Sequence, residues 1–152
     1  MSNFGTLQSE HSPCPTVVIK LCNPGSPSDN DISAILVNAI IDTGADTSAV
    51  PESVIERLIS SSGCEVENDV VCMESADGSS AIFELVRLSV TLCDPDDQVK
   101  FANIPPKEID MVSIPSASYA IIGRDYLKDL KISIDFNVEN WRFCNAESCP
   151  IY

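Results

Sequence analysis

The sequence predicts a mostly β protein with one or two short helices, and three observations carry that prediction. Runs rich in Val, Ile and Thr recur at residues 16–21, 32–41, 70–73, 81–92 and 132–136, and β-branched side chains pack well on a pleated sheet. Gly, Pro, Asn and Asp cluster between those runs, as in residues 23–30 and at Asp77-Gly78, where turns use their backbone freedom and local side-chain bonds. Helical spacing is confined to two short stretches, 52–59 and 125–130. A chain of 152 residues with 44% apolar content supports one domain with an ordinary packed core.

Taken in order, residues 1–13 read as a flexible leader, polar and without periodicity. Residues 16–21 form a first strand between prolines, and the loop 23–30 leads to a second strand at 32–41, so the two make a hairpin that delivers Asp42. Pro51 suits a helix start, with apolar spacing through 52–59 and Gly63 beyond its end. Residues 70–73 and 81–88 flank the turn 74–80 and predict a long hairpin, whose second arm continues through 89–92. A turn at 94–97 is followed by strand candidates at 99–102 and 110–112. Residues 132–136 alternate with period two, and 141–143 pair back across a turn at 137–140.

Charge and composition exclude several function classes. Nine Lys and Arg stand against 23 Asp and Glu, a net charge of −14, which disfavours nucleic acid because phosphate binding depends on cationic contacts. No stretch approaches the length of a membrane span, and the N-terminus lacks the basic and apolar segments of a signal peptide. The expectation is a soluble, cytoplasmic protein with no membrane partner. Seven cysteines make an odd count with no Cys-x-x-Cys pair, so they read as small buried apolar residues. His11, the sole histidine, lies in the leader, which argues against Ser-His and Cys-His catalysis. The acidic turn at 94–97 lacks the ligand spacing of a calcium loop, and no phosphate-binding glycine loop occurs. Neither a metal nor a cofactor is expected.

The chemistry concentrates at Asp42-Thr43-Gly44, which closes the apolar run 35–41 and leads into Ala45-Asp46-Thr47-Ser48. A carboxylate at the end of a buried strand is costly unless a reaction or a hydrogen-bond network uses it. Gly44 lets the backbone turn sharply beside it, and Thr43 offers a hydroxyl. The segment Ile40-Ile41-Asp42-Thr43-Gly44-Ala45-Asp46 resembles the catalytic strand and loop of retropepsin-type aspartic proteases. Ala120-Ile121-Ile122-Gly123-Arg124-Asp125-Tyr126-Leu127 resembles that family's second element, an apolar strand end with a glycine, then Arg-Asp and a short helix. Order and separation agree, and the resemblance covers residues 14–144, with 145–152 as a tail. The terminal hairpin is similar to that of cellular and bacterial members rather than the short viral enzymes.

The resemblance implies a closed, barrel-like acid-protease fold, with the 70–88 hairpin as a flap whose tip, Asp77 and Gly78, meets bound peptide. It implies a homodimer, because the chain carries a single Asp-Thr-Gly and each copy would lend one Asp42 to a shared water. Terminal strands would carry most of the interface, with the leader free. Thr43 would lock the two loops together, Gly44 would offer its carbonyl to peptide, and Ala45 and Asp46 would line the cleft. Gly123 and Arg124 would support the loop, Arg124 through a partly buried ion pair with Asp46. Asp125 reads as a helix cap, and Tyr119 departs from the small or polar residue expected near this strand. The activity implied is an aspartic endopeptidase acting on peptides or proteins. The alternative is a non-catalytic peptide-binding or dimerisation module of the same fold.

Overall fold

A computed structural model describes residues 2–3, 5–8, 13–24, 34–62, 68–93, 105–130, 132–135 and 142–145. Alternating burial drives its sheet. In β4 (Ile35–Ile41), Ile35, Val37, Ala39 and Ile41 point inward while Leu36 and Asn38 face out, as a period-two strand with one buried face requires. β4 pairs antiparallel with β3 (Pro13–Cys22) and parallel with β9 (Ala120–Ile122). β5 (Ala49–Pro51) continues the sheet beside β9, followed by β8 (Lys107–Ile114), β7 (Ser80–Cys93) and β6 (Asn68–Glu74).

Closure comes from β3 and β7, which also pair with each other, Val18 opposite Cys93 through Cys22 opposite Ser89. The ring β3-β4-β9-β5-β8-β7 is therefore a closed barrel of six strands. Both closing strands are long enough to serve two neighbours on one edge. The start of β3 pairs with β2 (Gly5–Gln8) and its later half with β7. The first part of β7 pairs with β6 as a hairpin, and its last residues seal the barrel.

Inside, Ile19, Leu21, Leu88, Leu92, Met111 and Ile122 have no exposed surface. Helix α1 (Glu52–Ser62) lays Val54, Ile55 and Leu58 onto β4, β5 and β8, the three-and-four spacing that puts residues on one helical face. The short helix α2 (Arg124–Leu127) buries Tyr126 completely. A separate sheet of order β1-β11-β10 joins β1 (Ser2–Asn3), β11 (Arg142–Asn145) and β10 (Ile132–Asp135).

The mostly β class, the 70–92 hairpin, the helix after Pro51 and the terminal hairpin follow the sequence expectations. Several details differ. Residues 2–3 and 5–8, read as part of a flexible leader, pair with β11 and β3, because the open edges of those strands offer backbone partners that polar composition does not reveal. Pro51 ends β5 rather than opening the helix, which starts at Glu52; β5 itself, three residues long, was too short to show a period. The strand candidate 99–102 and the acidic turn 94–97 lie outside the described residues, as do Ile32, Gly63, Phe136 and Trp141.

Candidate active site

Parallel pairing of β4 with β9 sets Ile41 opposite Ile122, so Asp42 and Gly123, the next residues on each strand, leave the barrel side by side. The Asp42 N–H donates to the Ile122 carbonyl at 2.9 Å, and the loop closes as the Ala45 N–H donates to the Asp42 carbonyl at 3.2 Å. The Gly44 N–H donates to Asp42 Oδ1 at 2.9 Å, which fixes the carboxylate against its own loop. A carboxylate held by a backbone amide has a defined direction before anything binds.

One sequence expectation about this loop needs correction. The Asp42 carboxylate is exposed in the single chain, because the outward positions of β4 alternate with the core ones and the apolar run is only half buried. At Gly44 a Cβ would stand 3.2 Å from Asp42 Oδ1, a tight contact that would press on the carboxylate; among the described residues Gly78 is the glycine with positive φ.

Gly123 answers a tighter demand. A Cβ at this position would lie 2.8 Å from the Ala45 carbonyl oxygen and 3.0 to 3.1 Å from the carbonyl of Thr47. With no side chain there, the Arg124 N–H reaches the Ala45 carbonyl at 2.8 Å, and the Asp125 N–H reaches that of Asp46 at 3.3 Å. The start of α2 thus docks on the Asp42 loop through backbone bonds. The Arg124–Asp46 ion pair is present, but its side chains are 56% and 81% exposed. An exposed pair contributes at most about 1 kcal/mol, so the partly buried pair expected from the sequence is a solvated one, and the backbone bonds hold the loop.

Asp125 does more than serve the start of its own helix, where its Oδ1 accepts the Tyr126 N–H at 2.9 Å. Gly123 is the N-cap and no side chain bonds there; Asp125 already lies inside the first turn. Its carboxylate accepts the Ser48 N–H at 2.9 Å and the Ser48 hydroxyl at 2.6 Å, while Ser48 Oγ accepts the Gly123 N–H at 2.9 Å. Ser48 is wholly buried, so these bonds satisfy polar groups that water does not reach. On the far side, Lys107 Nζ donates to the Asp125 carbonyl at 2.9 Å and to Asp129 Oδ2 at 2.6 Å. It also lies 5.9 Å from the centre of the Tyr126 ring. Lys107 holds the Asp129 carboxyl below the usual carboxylate range. Sequence reasoning missed Ser48 and Lys107. Only Ser48, a polar residue abutting the apolar strand Ala49–Pro51, carried a local hint.

The β6–β7 hairpin reaches away from the barrel with Asp77 and Gly78 in its turn. Gly78 takes φ +82° with open space around it, and its N–H donates to the Ser75 carbonyl at 2.9 Å. Asp77 Oδ1 accepts both the N–H and the hydroxyl of Ser79, bonds that lower its pKa. At the base of the hairpin, a cleft of about 370 Å³ is lined by Val71, Met73, Leu85, Ile109 and Val112, with Thr47 and Asp125 at its loop side. Arg87 and Asp110, bonded at 3.1 Å, close another side. The structure therefore joins Asp42, Thr43, Gly44, Ala45, Asp46, Gly123 and Arg124 in one bonded loop pair, and sets Asp77 and Gly78 apart at the hairpin turn. Thr43 is exposed on that loop, and Tyr119, ahead of β9, is 42% exposed.

Of the cysteines whose side chains are described, Cys22 and Cys93 are buried and Cys72 is exposed. Cys22 pairs opposite Ser89 and Cys93 opposite Val18, four residues apart along the strands and so roughly 13 Å distant, beyond disulfide reach. Among the described residues, no helix is long and apolar enough to cross a membrane. No protein-family model matches the chain, and no curated protein matches it.

Proposed function

We propose that this chain is one subunit of a homodimeric, retropepsin-like aspartic endopeptidase. The observation that carries the reading is the placement of Asp42: exposed at the end of a barrel strand, amide-bonded through Oδ1, and seated beside Gly123, whose missing side chain lets the β9–α2 turn dock on its loop. A single such carboxylate lacks a partner acid for amide hydrolysis. A two-fold axis through the loop would bring Asp42 from each copy together. Two close carboxylates do not both ionise readily, so the pair shares one proton. The charged member takes a proton from water as it attacks the scissile carbonyl, and the protonated member donates to the developing oxyanion. Because the mechanism needs one proton on the pair, activity is expected on the acidic side of neutrality.

Other features support the same reading. The cleft at the base of the β6–β7 hairpin, lined by Val71, Met73 and Leu85 from the hairpin and by Thr47 from the loop that begins at Asp42, is a place for a peptide side chain. β1 and β10 stand at the edges of the small terminal sheet, and edge strands are ready to pair with another chain. The reaction consumes only water and peptide.

The test is cleavage of an unstructured protein at mildly acidic pH, with sedimentation run on the same sample. Wild type should sediment as a dimer, cleave, and be inhibited by a statine-type peptide. Asp42→Asn should lower turnover by roughly 10²–10⁴-fold, the range a positioned acid or base contributes. Undiminished cleavage by Asp42→Asn, or activity from a monomer, would refute the proposal. Peptide binding without turnover at any pH would instead indicate a binding module of this fold.

A further inference from the structure

We infer that Asp125 is a positioning residue for the Asp42 loop, held in place by Lys107. The inference rests on the proposed catalytic role of Asp42 and concerns how that residue is aimed. The bonds form one continuous path. Lys107 Nζ, extended from the start of β8, anchors α2 through the Asp125 carbonyl and Asp129, and lies over Tyr126. The Asp125 carboxylate then grips Ser48 at both its N–H and its hydroxyl. Because the Ser48 hydroxyl donates to Asp125, its lone pairs are turned to the Gly123 N–H. Gly123 follows Ile122, whose carbonyl receives the Asp42 N–H.

Asp125 therefore sets the orientation of a buried hydroxyl that ties one end of the loop, residue 48, to Gly123, next to the Ile122 carbonyl that holds the other end, residue 42. The bonds from Asp125 through Ser48 to Gly123 are buried or partly buried, in contrast to the exposed Arg124–Asp46 pair; the Asp129 end of the path is the solvated part. Asp125 borders the cleft, but both of its oxygens already accept bonds from this chain: Oδ1 from the Ser48 hydroxyl and the Tyr126 N–H, Oδ2 from the Ser48 N–H. Its action is on geometry, and misplacing a reacting group by about 1 Å can lower a rate on the order of 100-fold.

The experiment compares Asp125→Ala, Asp125→Asn, Lys107→Met and Lys107→Arg with wild type in the full chain, following turnover and the Gly44 backbone amide by NMR. Gly44 reports the Asp42 Oδ1 bond directly, whether or not the protein cleaves anything. Asp125→Ala should lower kcat on the order of 10- to 100-fold with KM little changed, and shift or broaden the Gly44 amide. Asp125→Asn should recover only part of kcat with an unchanged pH profile, since its one oxygen can accept from the Ser48 N–H while its NH2 faces the Tyr126 N–H and cannot accept from the Ser48 hydroxyl. Lys107→Met should give a smaller fall that Lys107→Arg partly restores. Ile55→Val, in the core under α1, serves as a control that lowers melting temperature without moving the Gly44 amide. An unaltered Gly44 amide in Asp125→Ala, or kcat losses that merely track melting temperature across all variants including Ile55→Val, overturns the inference. A shifted amide in a protein that never cleaves peptide leaves the positioning role standing and refutes the protease reading instead.

Discussion

Gly123 sits where three backbone atoms of the Asp42 loop converge, and its backbone angles, φ −99° and ψ −171°, are open to any residue. The demand is for empty volume alone. Gly123→Ala should therefore destabilise by about 1–3 kcal/mol through overpacking, seen as a lower melting temperature. Arg124→Ala, one residue on, should change stability by at most about 1 kcal/mol because its ion pair is solvated. Equal losses from the two would show that the ion pair, and not the close backbone approach, secures the turn. Both residues were legible in the sequence as parts of a motif. Their relative importance was not, because side-chain exposure is a property of the assembled loop.

At the scale of elements, the β6–β7 hairpin and the short helix α2 contrast in how they are held. The hairpin rises from the barrel with Val70 65% and Ile82 75% exposed, so turn chemistry sets much of its geometry. Gly78→Ala meets no atom but is forced to keep φ +82°, a strain of roughly 1–2 kcal/mol. The expected outcome is faster hydrogen exchange confined to the hairpin turn, with barrel amides unchanged. Exchange that quickens across the barrel would mean that the hairpin is integral to it. Here the sequence was explicit, since Asp-Gly between alternating runs signals a turn by itself. For α2 it was incomplete. Asp125 has the composition of a cap, yet it serves Ser48, 77 residues away, and no local pattern encodes a partner at that separation.

Across the whole molecule, the barrel closes around side chains that water does not reach, and Tyr126 plugs it from α2. Burial pushes the Tyr126 phenol well above its usual value of 10 and, less strongly, raises the Cys93 thiol above 9. The unfolded chain releases these protons first as pH rises, so stability is complete below the unfolded values and declines above them. Urea unfolding between about pH 8 and pH 11 should show that decline, with a slope from Tyr126 of at most about 1.4 kcal/mol per pH unit. Tyr126→Phe should flatten the profile above pH 10. A profile identical to wild type would mean that the phenol is hydrated in the native state.

What the sequence by itself determined is the local grammar of the chain: period-two runs make strands, Asp-Gly makes the hairpin turn, and a lone carboxylate after an apolar strand marks the place where chemistry is expected. Those features depend on residues within a few positions of one another. The tertiary structure alone decided that β3 and β7 meet to close the barrel, that residues 2–3 and 5–8 join its sheets, and that Asp42 lies exposed beside Gly123. It also decided that Asp125, Ser48 and Lys107 form one bonded path. Each of these is a contact between distant segments, set by which strand edges and buried polar groups remain unsatisfied once the neighbouring residues have folded.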